Sequence, residues 1–232
     1  MTRDKLNIVI PIYNPQAGWE KNFTDSLLGL EKELEATDFL VILINDGSSK
    51  PIDHIERIMD QLKNLRYYAY PVNQGKGYAI RYGINMADAD FYIYTDMDFP
   101  FGYEVVIQTY LMLKSTKTNL VIGTRDASYF NLLPHKRRII SSLMKKLSYL
   151  TTGFKIEDTQ AGLKGLDNMA KKILADTKIN SFLFELEFLK KSLEQGLSYK
   201  FINVSPRPGI RFTNFRLKII HKEVISFLKI FF

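Results

Sequence analysis

The chain has 232 residues, 46% hydrophobic and 25% charged, enough for one large domain with a substantial core or a domain with a short appendage. It has no cysteine, which excludes a disulfide framework and any zinc–thiolate centre. The net charge is +7 and uneven: residues 134–155 carry Lys136, Arg137, Arg138, Lys145, Lys146 and Lys155 with no acid, and residues 207–232 carry six Lys or Arg against Glu223. Such patches suit nucleic acid, anionic lipid or phosphorylated substrates, or form a solvated basic surface.

The first apolar run, Leu6 to Ile12, ends at a polar stretch and is too short for a signal-peptide core. No window reaches the roughly 18 apolar residues that span a bilayer. The expectation is a cytoplasmic protein without a transmembrane anchor of its own. Along the first 125 residues, β-rich runs at Asn7–Tyr13, Phe39–Asn45, Arg66–Pro71, Asp90–Thr95 and Asn119–Gly123 alternate with helical patterns at 17–36, 52–63, 76–88 and 103–116. In the first helix Phe23, Leu27, Leu28, Leu30 and Leu34 form a stripe of period 3.6. Nearly all-apolar strands between amphipathic helices predict a largely parallel sheet covered on both faces. Beyond residue 125 the sequence predicts a basic helix near 136–152, helices near 167–176 and 182–195, a strand near 199–204 and a loop at Ser205–Gly209. A basic amphipathic helix follows at 214–232.

In a parallel sheet, ligands bind outside the carboxyl ends of the strands. Polar and glycine-rich chemistry gathers there. The strand ends read Pro11-Ile-Tyr13-Asn14-Pro15, Asn45-Asp46-Gly47-Ser48, Asn73-Gln-Gly75-Lys76-Gly77, Thr95-Asp96-Met-Asp98 and Gly123-Thr-Arg125. Asp96 and Asp98 are two carboxylates at spacing i, i+2, able to converge on Mg²⁺ or Mn²⁺, or else plain turn acids in water. Asp46 with Gly47 suits a turn as well as an acceptor for a nucleobase. The Asn73–Gly77 turn opens a helix, where exposed amides and Lys76 favour a phosphate; the alternative is a glycine-rich turn with an exposed lysine. Its spacing is not that of a Walker loop. Glu185 and Glu187 stand in a predicted helix and read as one exposed and one buried acid, the latter paired to Lys or Arg. The three histidines are scattered, and Trp19 and most tyrosines read as packing residues.

Together these segments resemble the family 2 glycosyltransferases of the GT-A fold, an α/β architecture with a mostly parallel central sheet flanked by helices. Five motifs fall in order over the first 125 residues. Asp158-Thr-Gln160-Ala-Gly162-Leu-Lys164-Gly is similar to a segment of the polyprenyl-phosphate sugar transferases, and Arg137-Arg138 and Phe184-Glu185-Leu-Glu187 fall where that subfamily has similar residues. The resemblance covers roughly residues 6–205 and implies a transferase domain over 1–213, followed by the helix at 214–232. It implies that Pro11, Tyr13, Asn14 and Asp46 hold the nucleoside. Lys76, Gly77 and Asp96 would lie near the ribose and diphosphate, and Asp98, with Asp96, would bind Mg²⁺ or Mn²⁺. Arg125, Arg137, Arg138 and Gln160 would face donor and acceptor phosphates, and Asp158 would sit beside the reacting sugar. Two departures stand out: Pro15 where the family often has an acid, and Pro100 where many relatives carry a Gln that is sometimes a metal ligand.

The function so implied is inverting transfer of a sugar from a nucleotide diphosphate, UDP expected ahead of GDP, to a polyprenyl phosphate. A lipid phosphate is already ionised near neutral pH and needs little help from a base; with a sugar hydroxyl as acceptor, as in polysaccharide or glycolipid synthesis, Asp158 becomes the base. A non-catalytic nucleotide-sugar-binding module is the further alternative, kept open by Pro100. Nucleic acid is not expected as a partner, since phosphate substrates and lipid account for the basic segments. Leu217, Ile220, Val224, Phe227 and Phe231 with flanking Arg216, Lys218, Lys222 and Lys229 suit peripheral contact with the inner face of a membrane, or packing on the domain or on a second copy in a homodimer.

Overall fold

The apolar runs form one sheet because both of their faces find a partner. The computed structural model describes residues 3–125 and 161–207. Its strands are β1 (Lys5–Ile12), β2 (Asp38–Asp46), β3 (Leu65–Tyr70), β4 (Phe91–Tyr94), β5 (Leu120–Arg125), β6 (Lys164–Asp167) and β7 (Tyr199–Val204), in the order β3-β2-β1-β4-β6-β5-β7. Neighbours are parallel except at β6, which runs antiparallel to both β4 and β5. The described helices are α1 (Trp19–Glu33), α2 (Ile55–Gln61), α3 (Lys76–Ile84), α4 (Tyr103–Thr116), α5 (Asn168–Ala175) and α6 (Phe184–Glu194). The α/β architecture with a mostly parallel sheet is therefore as the sequence implies, whereas the basic helices at 136–152 and 214–232 lie outside the described residues.

Strand alternation divides the core in two. Leu6, Ile8, Ile10 and Ile12 of β1 join Phe23, Leu27 and Leu30 of α1 and Val106, Tyr110 and Leu113 of α4. Val9 points the other way, into a cluster with Ile80 and Ile84 of α3 and Phe184 and Phe188 of α6. Each such side chain contributes about 1.5–3 kcal/mol by leaving water. Gly83 lets α3 approach β1 closely, because a Cβ there would lie 2.4 Å from Val9 Cγ1.

The strand β6 was not expected. Its sequence, Lys-Gly-Leu-Asp, is short and lacks β-branched residues, so its local signal is weak. It forms because ladders on both sides satisfy its backbone, and Asp167 at its end accepts from Met169 N and Ala170 N, both at 2.9 Å, to start α5.

Glu185 and Glu187 of α6 are both buried, correcting the expectation of one exposed and one buried. Glu187 accepts from the backbone of Lys178 and Ile179 at 2.8–2.9 Å and pairs with Lys191 at 2.8 Å. Glu185 pairs at 2.9 Å with Lys164, which is fully buried on β6 and also donates to the Ala161 carbonyl at 2.6 Å. Such a pair holds position more than it adds stability, since desolvation offsets most of its attraction. Lys164→Met, which strands the Glu185 charge, is expected to cost about 3–5 kcal/mol in urea unfolding. Lys164→Met combined with Glu185→Leu is expected to recover most of that loss.

Candidate active site

The carboxyl ends of β1, β2, β3 and β4 meet at one edge, and the loops there are bound to one another. Asn14, with a left-handed φ of 46°, receives Ser49 N and Ser49 Oγ on its Oδ1 at 2.9 and 3.0 Å, while its own N donates to Ser48 Oγ at 2.9 Å. Asn45 Oδ1 accepts from Ser48 N at 3.0 Å. Pro11 is half-buried in β1, and Tyr13, just beyond it, is 50% exposed.

Asp46 is buried at the end of β2 and is the centre of this edge. Its carboxylate accepts from Tyr70 Oη at 2.8 Å, Asn73 Nδ2 at 2.7 Å, Gln74 N at 2.8 Å and Gly75 N at 3.0 Å. Burial, then the hydrogen bond to Asp46, holds the Tyr70 phenol far above its ordinary range. A carboxylate offers about four lone-pair sites, and all are engaged. A nucleobase would thus meet an acceptor already in use: in this arrangement Asp46 shapes the loop rather than presenting a free oxygen. The adjoining Gly47, at φ 62°, lets the two loops touch, since a Cβ there would lie 2.3 Å from Asn73 N.

The turn into α3 differs from its sequence reading in the same way. Its amides already hold an anion, and that anion is Asp46. Gly77 faces the protein: its N–H donates to the Asn180 carbonyl at 2.9 Å, and a Cβ would strike Phe184. Gly77 therefore packs α3 against α6 instead of lining a ligand site. Arg81 holds the same Asn180 loop through Thr177 Oγ1, the Ile179 carbonyl and Asn180 Oδ1. From this turn Lys76 extends inward, and its Nζ meets Asp96 Oδ1 at 2.7 Å. Burial opposes its charge, but Asp96, then Glu185, prevail and keep Lys76 above its ordinary range.

After β4 the chain turns sharply. Phe99 N donates to the Asp96 carbonyl at 3.0 Å, and the buried Phe99 ring packs near Phe23 of α1. Asn22 Nδ2 donates to the Asp98 carbonyl at 2.8 Å. The Asp98 carboxyl is raised above its ordinary range, by loss of hydration first and by the Asp96 charge second, with Arg207 and Lys76 pulling it back. Beneath lie Tyr94, Glu185 and Lys164; among the described residues Tyr94 Oη and Glu185 Oε1 are buried without hydrogen-bond partners, and burial followed by the Glu185 charge pushes the phenol well up.

Among the described residues no group of three or more His, Asp or Glu side chains is placed to hold a metal. Asp96 and Asp98 still suit one that keeps waters and shares its shell with substrate phosphates, as Mg²⁺ does. The Lys76 ammonium on Asp96 shows that this oxygen faces a cation. Pro100 supplies no side-chain ligand; its carbonyl accepts from Arg207 N at 2.9 Å. Arg207 itself was read only as part of a loop, and no periodicity or spacing in the sequence marks it as a neighbour of Asp98.

Arg125 ends β5 at the same edge. Asp158, Gln160, Arg137 and Arg138 lie outside the described residues. Gly162, two residues after Gln160, rests against Asp96, where a Cβ would lie 2.2 Å from Oδ2.

Comparisons with known proteins bear on the family and the fold. Residues 7–173 match the family model "Glycosyl transferase family 2". An uncharacterised glycosyltransferase of Haemophilus influenzae is 27% identical over 153 residues, covering 65% of this chain and 58% of that protein. A dolichyl-phosphate beta-glucosyltransferase of Trichomonas vaginalis is 28% identical over 172 residues, covering 68% of this chain and 52% of that protein. The chain thus spans little more than half the length of these relatives. Glucosyl-3-phosphoglycerate synthase from Mycobacterium tuberculosis, solved with Mn²⁺, UDP and glucosyl-3-phosphoglycerate, shares the fold. Its TM-score is 0.67 at 18% identity, covering 97% of this chain and 78% of that one. No helix among the described residues is long and apolar enough to cross a membrane.

Two outcomes are expected. Asp46→Ala strands the donors of the 73–75 turn and is expected to lower unfolding free energy by about 3 kcal/mol in urea titration. Asp98→Asn is expected to do the opposite at neutral pH. A carboxyl raised by the fold contributes stability below its ordinary pKa and loses it as pH rises through the folded value. Scanning calorimetry should therefore find a higher Tm for Asp98→Asn at pH 7 and little change near pH 3.

Proposed function

The chain belongs to glycosyl transferase family 2, and from that premise we propose that it catalyses inverting transfer of a sugar from a nucleotide-diphosphate donor to a polyprenyl phosphate. The observation that carries the reading is the Asp96–Asp98 turn at the carboxyl edge of the sheet, faced by Lys76. The similarity to a dolichyl-phosphate beta-glucosyltransferase supports the lipid acceptor, and the fold shared with a synthase solved with UDP supports UDP ahead of GDP.

In this reading Asp98 and Asp96 hold a Mg²⁺ or Mn²⁺ ion, which when bound would neutralise charge on the leaving diphosphate. Lys76 and Arg125, with Arg137, Arg138 and Gln160, bind phosphate oxygens of donor and acceptor. Pro11, Tyr13 and Asn14 form the wall against the nucleoside, with the loop that Asp46 fixes. The reacting sugar develops oxocarbenium character, and Asp158 orients it or the attacking phosphate. The acceptor phosphate attacks from the face opposite the diphosphate, so the anomeric centre inverts and no general base is required. The basic, apolar-rich segment 214–232 brings the site to anionic lipid at the inner face of the membrane.

Calorimetric titration with UDP and GDP, each with and without Mn²⁺, tests the donor side. Metal-dependent binding of one nucleotide is expected; binding of neither would sink the reading and leave a degenerate site with Pro100 the first suspect. With a responsive sugar donor and polyprenyl phosphate, Asp98→Ala is expected to lower turnover about a hundredfold or more. Transfer to a sugar hydroxyl but not to the lipid phosphate would move Asp158 to the role of base.

A further inference from the structure

The pairing of Lys76 with Asp96 bears on how a cation reaches the site. The backbone at Lys76 is fixed on both sides, by Gly75 N on Asp46 and by Gly77 N on the Asn180 carbonyl. The Lys76 side chain is mostly enclosed, at 16% exposure, and its ammonium is seated on Asp96 Oδ1 at 2.7 Å. The other oxygen, Oδ2, is crowded by the backbone at Gly162, where there is no room for even a Cβ. Of the two oxygens of Asp96, Oδ1 is the one on which a cation already sits. Beneath it Glu185 is engaged through Oε2 by Lys164 at 2.9 Å, and the Lys76 ammonium takes Asp96 as its seat.

A divalent ion approaching Asp96 meets this ammonium as a like charge, and the repulsion is twice that between two monovalent ions. The ammonium can leave on its flexible four-carbon stem only if another anion receives it. A diphosphate supplies that anion, together with further oxygens for the metal. We propose that Lys76 is a stand-in for the divalent cation: it occupies Asp96 in the nucleotide-free protein, so that metal and nucleotide diphosphate enter together. The inference rests on the metal reading of Asp96 and Asp98.

The test is Mn²⁺ binding by electron paramagnetic resonance on the full chain, without nucleotide and with saturating UDP. The proteins are wild type, Lys76→Met, Lys76→Arg and Asp96→Asn. Wild type is expected to hold Mn²⁺ weakly alone and tightly with UDP. Lys76→Met, which keeps the stem and removes the charge, is expected to bind Mn²⁺ about tenfold more tightly without nucleotide, and the gain from added UDP is expected to shrink by a similar factor. Lys76→Arg, which keeps a cation there, should bind Mn²⁺ alone as weakly as wild type. A merely structural lysine would give a loss, not a gain, in Lys76→Met. Unchanged or weaker nucleotide-free binding in folded Lys76→Met, with UDP-dependent binding intact in wild type, would overturn the stand-in role alone. If wild type binds no Mn²⁺ even with UDP, or Asp96→Asn binds it as wild type does, the metal reading falls and the stand-in role falls with it.

Discussion

The buried carboxylate of Asp46 sets the geometry of the whole edge. It sits at the last rung of the β2–β3 ladder, and it gathers the hydroxyl of Tyr70 at the end of β3 with a side-chain amide and two backbone amides from the chain just after it. Those bonds determine where α3 begins and hence where Lys76 points. Without a negative charge at that spot, the amides of Gln74 and Gly75 would be left turned inward with nothing to receive them. The opening of a helix is usually where a protein welcomes an anion from outside; here the chain supplies its own, and only the lysine side chain is left to address a ligand.

Charge in the site is arranged in tiers. At the surface Asp98 is held above its ordinary range by lost hydration and by Asp96, with Arg207 partly compensating. One level down Lys76 bridges to Asp96. Beneath it Lys164 and Glu185 form a closed pair that fastens the segment from Ala161 to Lys164 under the Asp96 turn. The lower pair is settled, every charge having a partner, whereas the upper tier keeps two carboxylates close together. That difference separates scaffold from site: closely placed carboxylates, one of them held above its ordinary range, mark a candidate site.

Much of this was legible in the sequence because its cause is local. Unbroken apolar runs announced a sheet covered on both faces, and the bounds of α4 came out as the pattern indicated. The acidic and glycine-rich strand ends gather at one edge of the sheet, as the pattern indicated. The misses share a cause in long-range pairing. Lys164-Gly-Leu-Asp167 carries almost no strand signal, and becomes one only because β4 and β5 leave a gap that its backbone fills. One of Glu185 and Glu187 was expected at the surface, but the backbone amides of Lys178 and Ile179 close around Glu187 and Lys164 takes up Glu185. Gly77 looked like a phosphate glycine and proved to be a contact with Phe184. Arg207 is brought beside Asp98 by the path of the chain after β7, about which composition says nothing.

The reversed direction of β6 has a consequence for how such a protein diversifies. Because β6 runs against β5, the chain leaves the sheet at Arg125 and re-enters near Ala161 on the same edge, and Gly123 N is bonded to the Leu163 carbonyl at 3.0 Å. The ends of the intervening stretch are pinned side by side whatever its length. Lengthening a segment whose ends are already joined is cheap, about 0.6 kcal/mol for each doubling. The junction between Arg125 and Ala161 therefore sets no tight limit on how many residues lie between them. The Asp46 and Asp96 turns are thus built from strands whose pairing does not depend on the length of that stretch.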